Sequence, residues 1–140
     1  MGSGNDLRGA RVCSLFDVKF MARILVVEDD ADNQELVTRF LKRNGHVVLL
    51  ATDGMAGVTA AQEHVPDLIL MDLGLPVLDG WEASKRIRSN AGTARIPIIA
   101  LTAHALADDV TKAIDLGIDD YELKPVVYQQ LMKKIAKFIK

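Results

Sequence analysis

Cysteine is nearly missing from this 140-residue chain. Cys13 stands alone, which excludes an intrachain disulfide and any multi-cysteine zinc centre and fits a reducing compartment. Long hydrophobic runs are missing too. The longest near-apolar stretch, Ile96 to Ala107, is broken by Thr102 and His104 and is too short to cross a bilayer. The first twenty residues hold no apolar centre of the signal-peptide type. A cytoplasmic location with no membrane partner is the expectation. Neither sign of charge dominates: 17 Lys and Arg face 19 Asp and Glu. There is no basic field for direct nucleic-acid binding. Aromatics are only 5% of the residues, so the core must be aliphatic, which favours Val/Ile/Leu strands in an α/β layering. The histidines His46, His64 and His104 lack metal-ligand spacing, and the first two are expected at the surface.

What is present is an alternation. Residues 1–20 do not match the remainder of the chain and read as an N-terminal extension or tag, with Leu15, Phe16 and Phe20 its apolar points. From Met21 to Lys140 one domain is expected. Ile24–Val27 is a short apolar strand. Asp32 is placed to cap a helix whose buried face is Leu36, Val37, Phe40 and Leu41, stopped by Asn44-Gly45. Val47–Leu50 is a second strand. Asp53 caps a helix running to about His64, ended by Pro66. Leu68–Met71 is a third strand, ending at Asp72. Asp79-Gly80 opens a helix through Ile87, with Trp81 on a packing or partly exposed face. Ile98–Leu101 is a fourth strand. A helix from Ala105 to Leu116 ends at Gly117. Tyr121–Leu123 is a fifth strand. Val127, Leu131, Ile135 and Phe138 mark the buried face of a last helix, and Lys133, Lys134, Lys137 and Lys140 its solvated one. The pattern is (βα)₅: a doubly wound α/β sandwich around a five-stranded parallel sheet of order 2-1-3-4-5.

In such a sheet chemistry gathers at the carboxyl ends of the strands. There the chain places Glu28, Asp29 and Asp30 after the first strand, Asp72 after the third, Thr102 at the end of the fourth and Lys124 after the fifth. Strands one and three are neighbours, so Asp29 and Asp72 face each other across the switch point. Carboxylates that close repel, and a hard divalent cation such as Mg²⁺ relieves them. An aspartate nucleophile, a divalent cation, a hydroxyl and an ammonium are the parts that phosphoryl transfer to a carboxylate needs.

These residues carry a resemblance. Val27-Glu28-Asp29, Asp72 with Leu75-Pro76 and Asp79-Gly80, Leu101-Thr102-Ala103 and Lys124-Pro125, in that order and all at strand ends, resemble the receiver domains of two-component response regulators. That is the flavodoxin/CheY-like class, here at the length of single-domain members. The resemblance covers Met21 to Lys140. It implies that Asp72 accepts a phosphoryl group from a sensor histidine kinase or histidine phosphotransfer protein. It implies Mg²⁺ (or Mn²⁺) held by Asp29, Asp72, Glu28 and the backbone carbonyl of Gly74, and phosphoryl oxygens bound by Thr102 and Lys124. Tyr121 then matches the switch aromatic that moves with Thr102, and the Lys124-Pro125 bond is cis. Output passes to a downstream protein through the fourth helix, fifth strand and fifth helix, by residues such as Leu106, Lys112, Tyr121 and Val127. The chain departs from the pattern at Gly74, two residues after Asp72, and at His104, two after Thr102. Both flank the path of a hydrolytic water and are expected to tune dephosphorylation. The domain is then a signalling module rather than an enzyme in its own right. Two other readings compete with this one. A receiver fragment of a larger DNA-binding regulator has the same motifs. A Mg-dependent phosphatase with an Asp nucleophile needs a second Asp two residues on as acid/base, where this chain has Gly74.

Overall fold

The computed structural model describes residues 21–75, 77–103 and 107–139. Met1–Phe20, Pro76, His104, Ala105, Leu106 and Lys140 lie outside them, and so do the expectations placed on those residues. Ten elements alternate along the chain: β1 (Arg23–Val27), α1 (Ala31–Arg43), β2 (Val47–Ala51), α2 (Gly54–His64), β3 (Leu68–Asp72), α3 (Gly80–Ser89), β4 (Ile98–Thr102), α4 (Ala107–Asp115), β5 (Asp120–Leu123) and α5 (Tyr128–Phe138). The strands form one sheet in the order β2-β1-β3-β4-β5, and every pair is parallel. This is the doubly wound topology that the alternation predicts.

The strands are almost continuously apolar because both faces of the sheet are covered, and their period of two divides them between two cores. Leu25, Val27, Ile69, Met71, Ile98 and Ala100 point to one side, with Val58 and Ala61 of α2, Ala83 and Ile87 of α3 and Ala113 of α4. Ile24, Val26, Leu68, Leu70, Ile99 and Leu101 point to the other, with Val37 and Leu41 of α1 and Leu131 and Ile135 of α5. Each fully buried Leu or Ile contributes about 1.5–3 kcal/mol, so these rows hold the strand ends in register. Asp72 pairs with Leu101 across β3 and β4, and Thr102 with Leu123 across β4 and β5.

Several local expectations are corrected. Asp30, not Asp32, caps α1: its carboxylate accepts from the amides of Asp32 and Asn33. Asp32 lies in the first turn, where its charge favours the helix dipole. Leu36 is 51% exposed, at the rim of its helix's apolar stripe, and Val127 is 49% exposed, outside its helix. Val127 is the cap residue that precedes α5. α2 ends on Val65 in the left-handed region (φ 42°), a conformation usually left to Gly or Asn. His46 is half-buried rather than at the surface, and its Nδ1 accepts from the Ala22 amide.

Lys134 does not belong to a solvated face. It lies 3.0 Å from the buried carboxylate of Glu122 and 3.7 Å from Asp120. Asp79 caps α3. Gly80 is required there by close approach: a Cβ would stand 2.3 Å from the carbonyl oxygen of Asp72. That glycine lets α3 begin directly beneath the end of β3. The Lys124-Pro125 bond is cis, as the family resemblance implied.

Candidate functional site

β1, β3, β4 and β5 deliver their last residues to one edge, and the side chains there converge. Glu28 follows β1 and is 1% exposed; Asp72 ends β3 and is 5% exposed. Asp29, next to Glu28, is exposed. One carboxylate oxygen from each of Glu28, Asp29 and Asp72 lies within 4.8 Å of the others. Lys124, one residue past β5, reaches back over the edge. Its Nζ is 3.2 Å from Glu28 Oε1 and 3.2 Å from Asp72 Oδ2. The remaining Asp72 oxygen, Oδ1, accepts from the Gly74 amide at 3.0 Å. Glu28 Oε2 accepts from the Asp30 amide at 3.1 Å, and Gln34 of α1 donates to the Glu28 carbonyl. Both buried carboxylates are therefore fixed in direction by backbone and lysine donors, while Asp29 faces solvent.

The electrostatics follow from crowding. Burial, reinforced by the Asp72 charge, holds Glu28 above the ordinary carboxylate range despite the Asp30 amide and the Lys124 ammonium. Burial alone would lower Lys124; Asp72 and Glu28 outweigh it and hold the ammonium above the ordinary lysine range. Three carboxylates against one ammonium leave a double negative charge in a space a few ångströms across. Hard oxygen donors with that charge deficit suit a small divalent cation such as Mg²⁺. The donor set thus fits the metal that the resemblance implied.

Thr102 closes the fourth strand and lines one cavity with Asp72, Lys124, Leu73, Gly74, Trp81, Ala103 and Asp109. The cavity has a volume of about 460 Å³. Of the residues singled out from sequence, Asp72, Gly74, Thr102 and Lys124 line this cavity, and Glu28 and Asp29 join Asp72 in the carboxylate cluster beside it. Tyr121 stands apart. It is half-buried on β5 against the core, with Lys134 Nζ 5.3 Å from its ring centroid and bonded to its carbonyl oxygen. His104 lies outside the described residues. Sequence reasoning missed two residues of the cavity wall. Asp109 reaches it from α4, and Trp81, expected on a packing or partly exposed face, reaches it from α3. The signal for Asp109 is weak, because an acidic residue on an exposed helical turn looks the same wherever it points. It also missed the Lys134–Glu122 pair, whose members are twelve residues apart and meet only when α5 crosses β5.

Residues 24–136 match the family model for the response regulator receiver domain. Protein PilH of Pseudomonas aeruginosa is 37% identical over 115 residues, which are 82% of this chain and 95% of that protein. The DNA-binding dual master transcriptional regulator RpaA of Synechocystis is 36% identical over 120 residues, which are 86% of this chain and 50% of that protein. The chain thus spans nearly all of one relative and half the length of the other. Among solved structures, the receiver domain of sensor histidine kinase PA1611 from Pseudomonas aeruginosa superposes with a TM-score of 0.78 at 39% identity, covering 84% of this chain and 96% of that one. That crystal structure has a magnesium ion coordinated in the active-site cleft. With a family match over most of its length, and with the strand order and acidic strand edge already described, this chain belongs to the response regulator receiver domain family of two-component signalling.

Proposed function

We propose that Asp72 accepts a phosphoryl group from a sensor histidine kinase or a histidine phosphotransfer protein, and that the resulting acyl phosphate switches the domain's surface for a downstream protein. The observation that carries this reading is the placement of Lys124 Nζ at 3.2 Å from both Glu28 and Asp72, within a three-carboxylate cluster. Glu28, Asp29, Asp72 and the Gly74 carbonyl would hold Mg²⁺ or Mn²⁺. When bound, that ion neutralises charge building on the transferring phosphoryl oxygens.

The chain's own groups do the rest. The Gly74 amide orients Asp72 with one oxygen held. Lys124 leaves its pairing with Asp72 to take a phosphoryl oxygen, and the Thr102 hydroxyl takes another. Each such charge-assisted bond contributes roughly 1.5–3 kcal/mol. A swing from mostly off to mostly on requires about 5.5 kcal/mol, so the two together supply much of it. Tyr121 turns inward as Thr102 moves toward the phosphate. That motion alters the face formed by α4, β5 and α5, where Lys112 and Val127 also lie. Gly74 and His104 set how long the phosphorylated form lasts.

The test is phosphotransfer from acetyl phosphate with and without Mg²⁺, read by intact mass, comparing wild type with Asp72→Asn. The wild type gains one phosphoryl group only with the metal, and the variant gains none. Persistent labelling of the variant moves the acceptor elsewhere. Gly74→Asn with His104→Ala changes the decay rate of the adduct; an unaltered rate removes those two residues from the account.

A further inference from the structure

None of the described side chains that meet at the strand-end site comes from α2. Its first turn is nevertheless pressed against the connection from β3 to α3. A Cβ on Gly54 would stand 1.7 Å from the carbonyl oxygen of Leu78 and 2.7 Å from its carbonyl carbon. Gly54 is buried, and only the lack of a side chain lets the two backbones meet. One turn on, Gly57 is set closely against β1. A Cβ there would stand 2.9 Å from both γ-carbons of Val27, the residue before Glu28. α2 thus touches both chain segments that carry the proposed metal ligands.

The β3–α3 connection needs such a support. Val77 is held at φ 66°, a left-handed conformation that a β-branched residue keeps only where its surroundings impose it. A side chain 84% exposed does not supply that restraint. Leu78 supplies it on one side, half-buried against the core and backed by Gly54. Leu73 supplies it on the other: its amide donates to the Leu101 carbonyl, and its carbonyl accepts from the Gly80 amide. Between these anchors lies Gly74, whose amide holds Asp72 Oδ1 at 3.0 Å.

We infer that Gly54 is a positioning residue: by seating α2 against Leu78 it holds the β3–α3 connection where the Gly74 amide meets Asp72. This role rests on the reading of the strand edge as a metal and phosphoryl site and deepens it. An alanine at 54 has to move backbone, because the atom it meets is a carbonyl oxygen and not the end of a flexible side chain. The shifted connection draws the Gly74 amide away from Asp72 Oδ1 and frees one carboxylate of the cluster to turn.

Two readouts on the full chain test the brace. Without metal, hydrogen exchange of the Gly74 amide is followed by NMR. With Mg²⁺, the dissociation constant is read from the fluorescence of Trp81, the sole tryptophan, which lines the cavity with Asp72. Gly54→Ala speeds Gly74 exchange and weakens Mg²⁺ binding by roughly tenfold, as loss of a group that orients a metal ligand does. Ala61→Gly, in the core on the same helix, lowers stability without touching the connection and leaves both readouts at the wild-type values. Asp53→Ala loosens the brace without a clash. It strips the Ala56 amide of its cap, so the turn that carries Gly54 frays and both readouts shift the same way by less. Asp53→Asn still caps the helix and restores them. Should Gly54→Ala fail to fold, the Asp53 pair carries the test. Wild-type values in Gly54→Ala or in Asp53→Ala, an equal loss in Ala61→Gly, or no recovery in Asp53→Asn overturns the brace. A wild type that binds no Mg²⁺ overturns the metal reading instead, and Gly74 exchange in the metal-free variants still decides the brace.

Discussion

At the amino ends of the strands, polar side chains are matched to fixed backbone groups. Asp67 accepts the Arg23 amide at 2.8 Å, and His46 accepts the Ala22 amide at 3.2 Å. Asp119 accepts both the Ile98 amide and the Arg88 guanidinium. Arg88 also donates to the carbonyls of Gly117, Ala94 and Ile96. At the carboxyl ends the same kinds of side chain point at one another. Glu28, Asp29 and Asp72 converge, and Lys124 bridges two of them. One end of the sheet uses charge to hold the fold, while the other keeps an excess of one sign that suits a divalent cation. Stability and function are thus separated along the strand axis, and substitutions at the two ends should act with opposite sign.

The largest effect is expected at the structural end. Arg88→Ala takes the Arg88 donor from three carbonyls and one of two donors from Asp119 and should cost about 3 kcal/mol. The check is a urea melt, and a loss below about 1 kcal/mol would deny Arg88 its role as a staple. Arg88→Lys should recover only part, since an ammonium cannot span those carbonyls.

At the site end, Glu28→Gln should stabilise the metal-free domain by on the order of 1 kcal/mol near neutral pH, because it removes a buried, crowded charge. The pH dependence has a definite sign. Glu28 titrates above its ordinary value, near 4.5. Its contribution to stability is therefore fully present below that value and is lost as pH rises through the raised one. Melts in EDTA across that window should show the wild-type slope and a flatter variant. A destabilised variant would mean that the Lys124 pairing outweighs the crowding.

A smaller effect belongs to His46, whose burial lowers its titration below 6.5. The folded state prefers the neutral ring, so stability is present above 6.5 and falls as pH drops toward the lowered value. Protonated Nδ1 cannot accept from Ala22. His46→Gln should flatten the acid limb by roughly 1 kcal/mol, and an unchanged limb would assign the slope to the carboxylates. The smallest effect is Val65→Asn. The exposed valine holds φ at 42°, and an asparagine there should raise stability by about 0.5–1 kcal/mol, read as a Tm shift of a few degrees.

Most of the site was legible because its residues sit at strand ends, where chain order alone fixes their neighbours. Once Leu68–Asp72 is recognised as a strand beside Arg23–Val27, Asp72 must emerge beside Glu28 and Asp29. The same logic places Thr102 and Lys124. Caps were less legible. Asp30 and Asp32 are equivalent in sequence, and only the exit direction of β1 decides which carboxylate meets the free amides of α1. Leu36 and Val127 failed for a related reason: helical periodicity marks a stripe but neither its width nor the residue at which the helix begins. Lys134 looked solvated because nothing in a run of lysines says which one crosses a neighbouring strand that carries a buried glutamate.

Alternating apolar runs with turn residues between them suffice for five parallel strands and for the hard, acidic edge, since local periodicity and strand polarity are properties of the chain itself. The placing of Trp81 and Asp109 on one cavity with Asp72, the bridge from Lys124 to two carboxylates and the matching of Arg88 to backbone acceptors belong to the folded molecule alone. They join helices and strands far apart in sequence, and only the angle at which those layers cross brings the groups within reach.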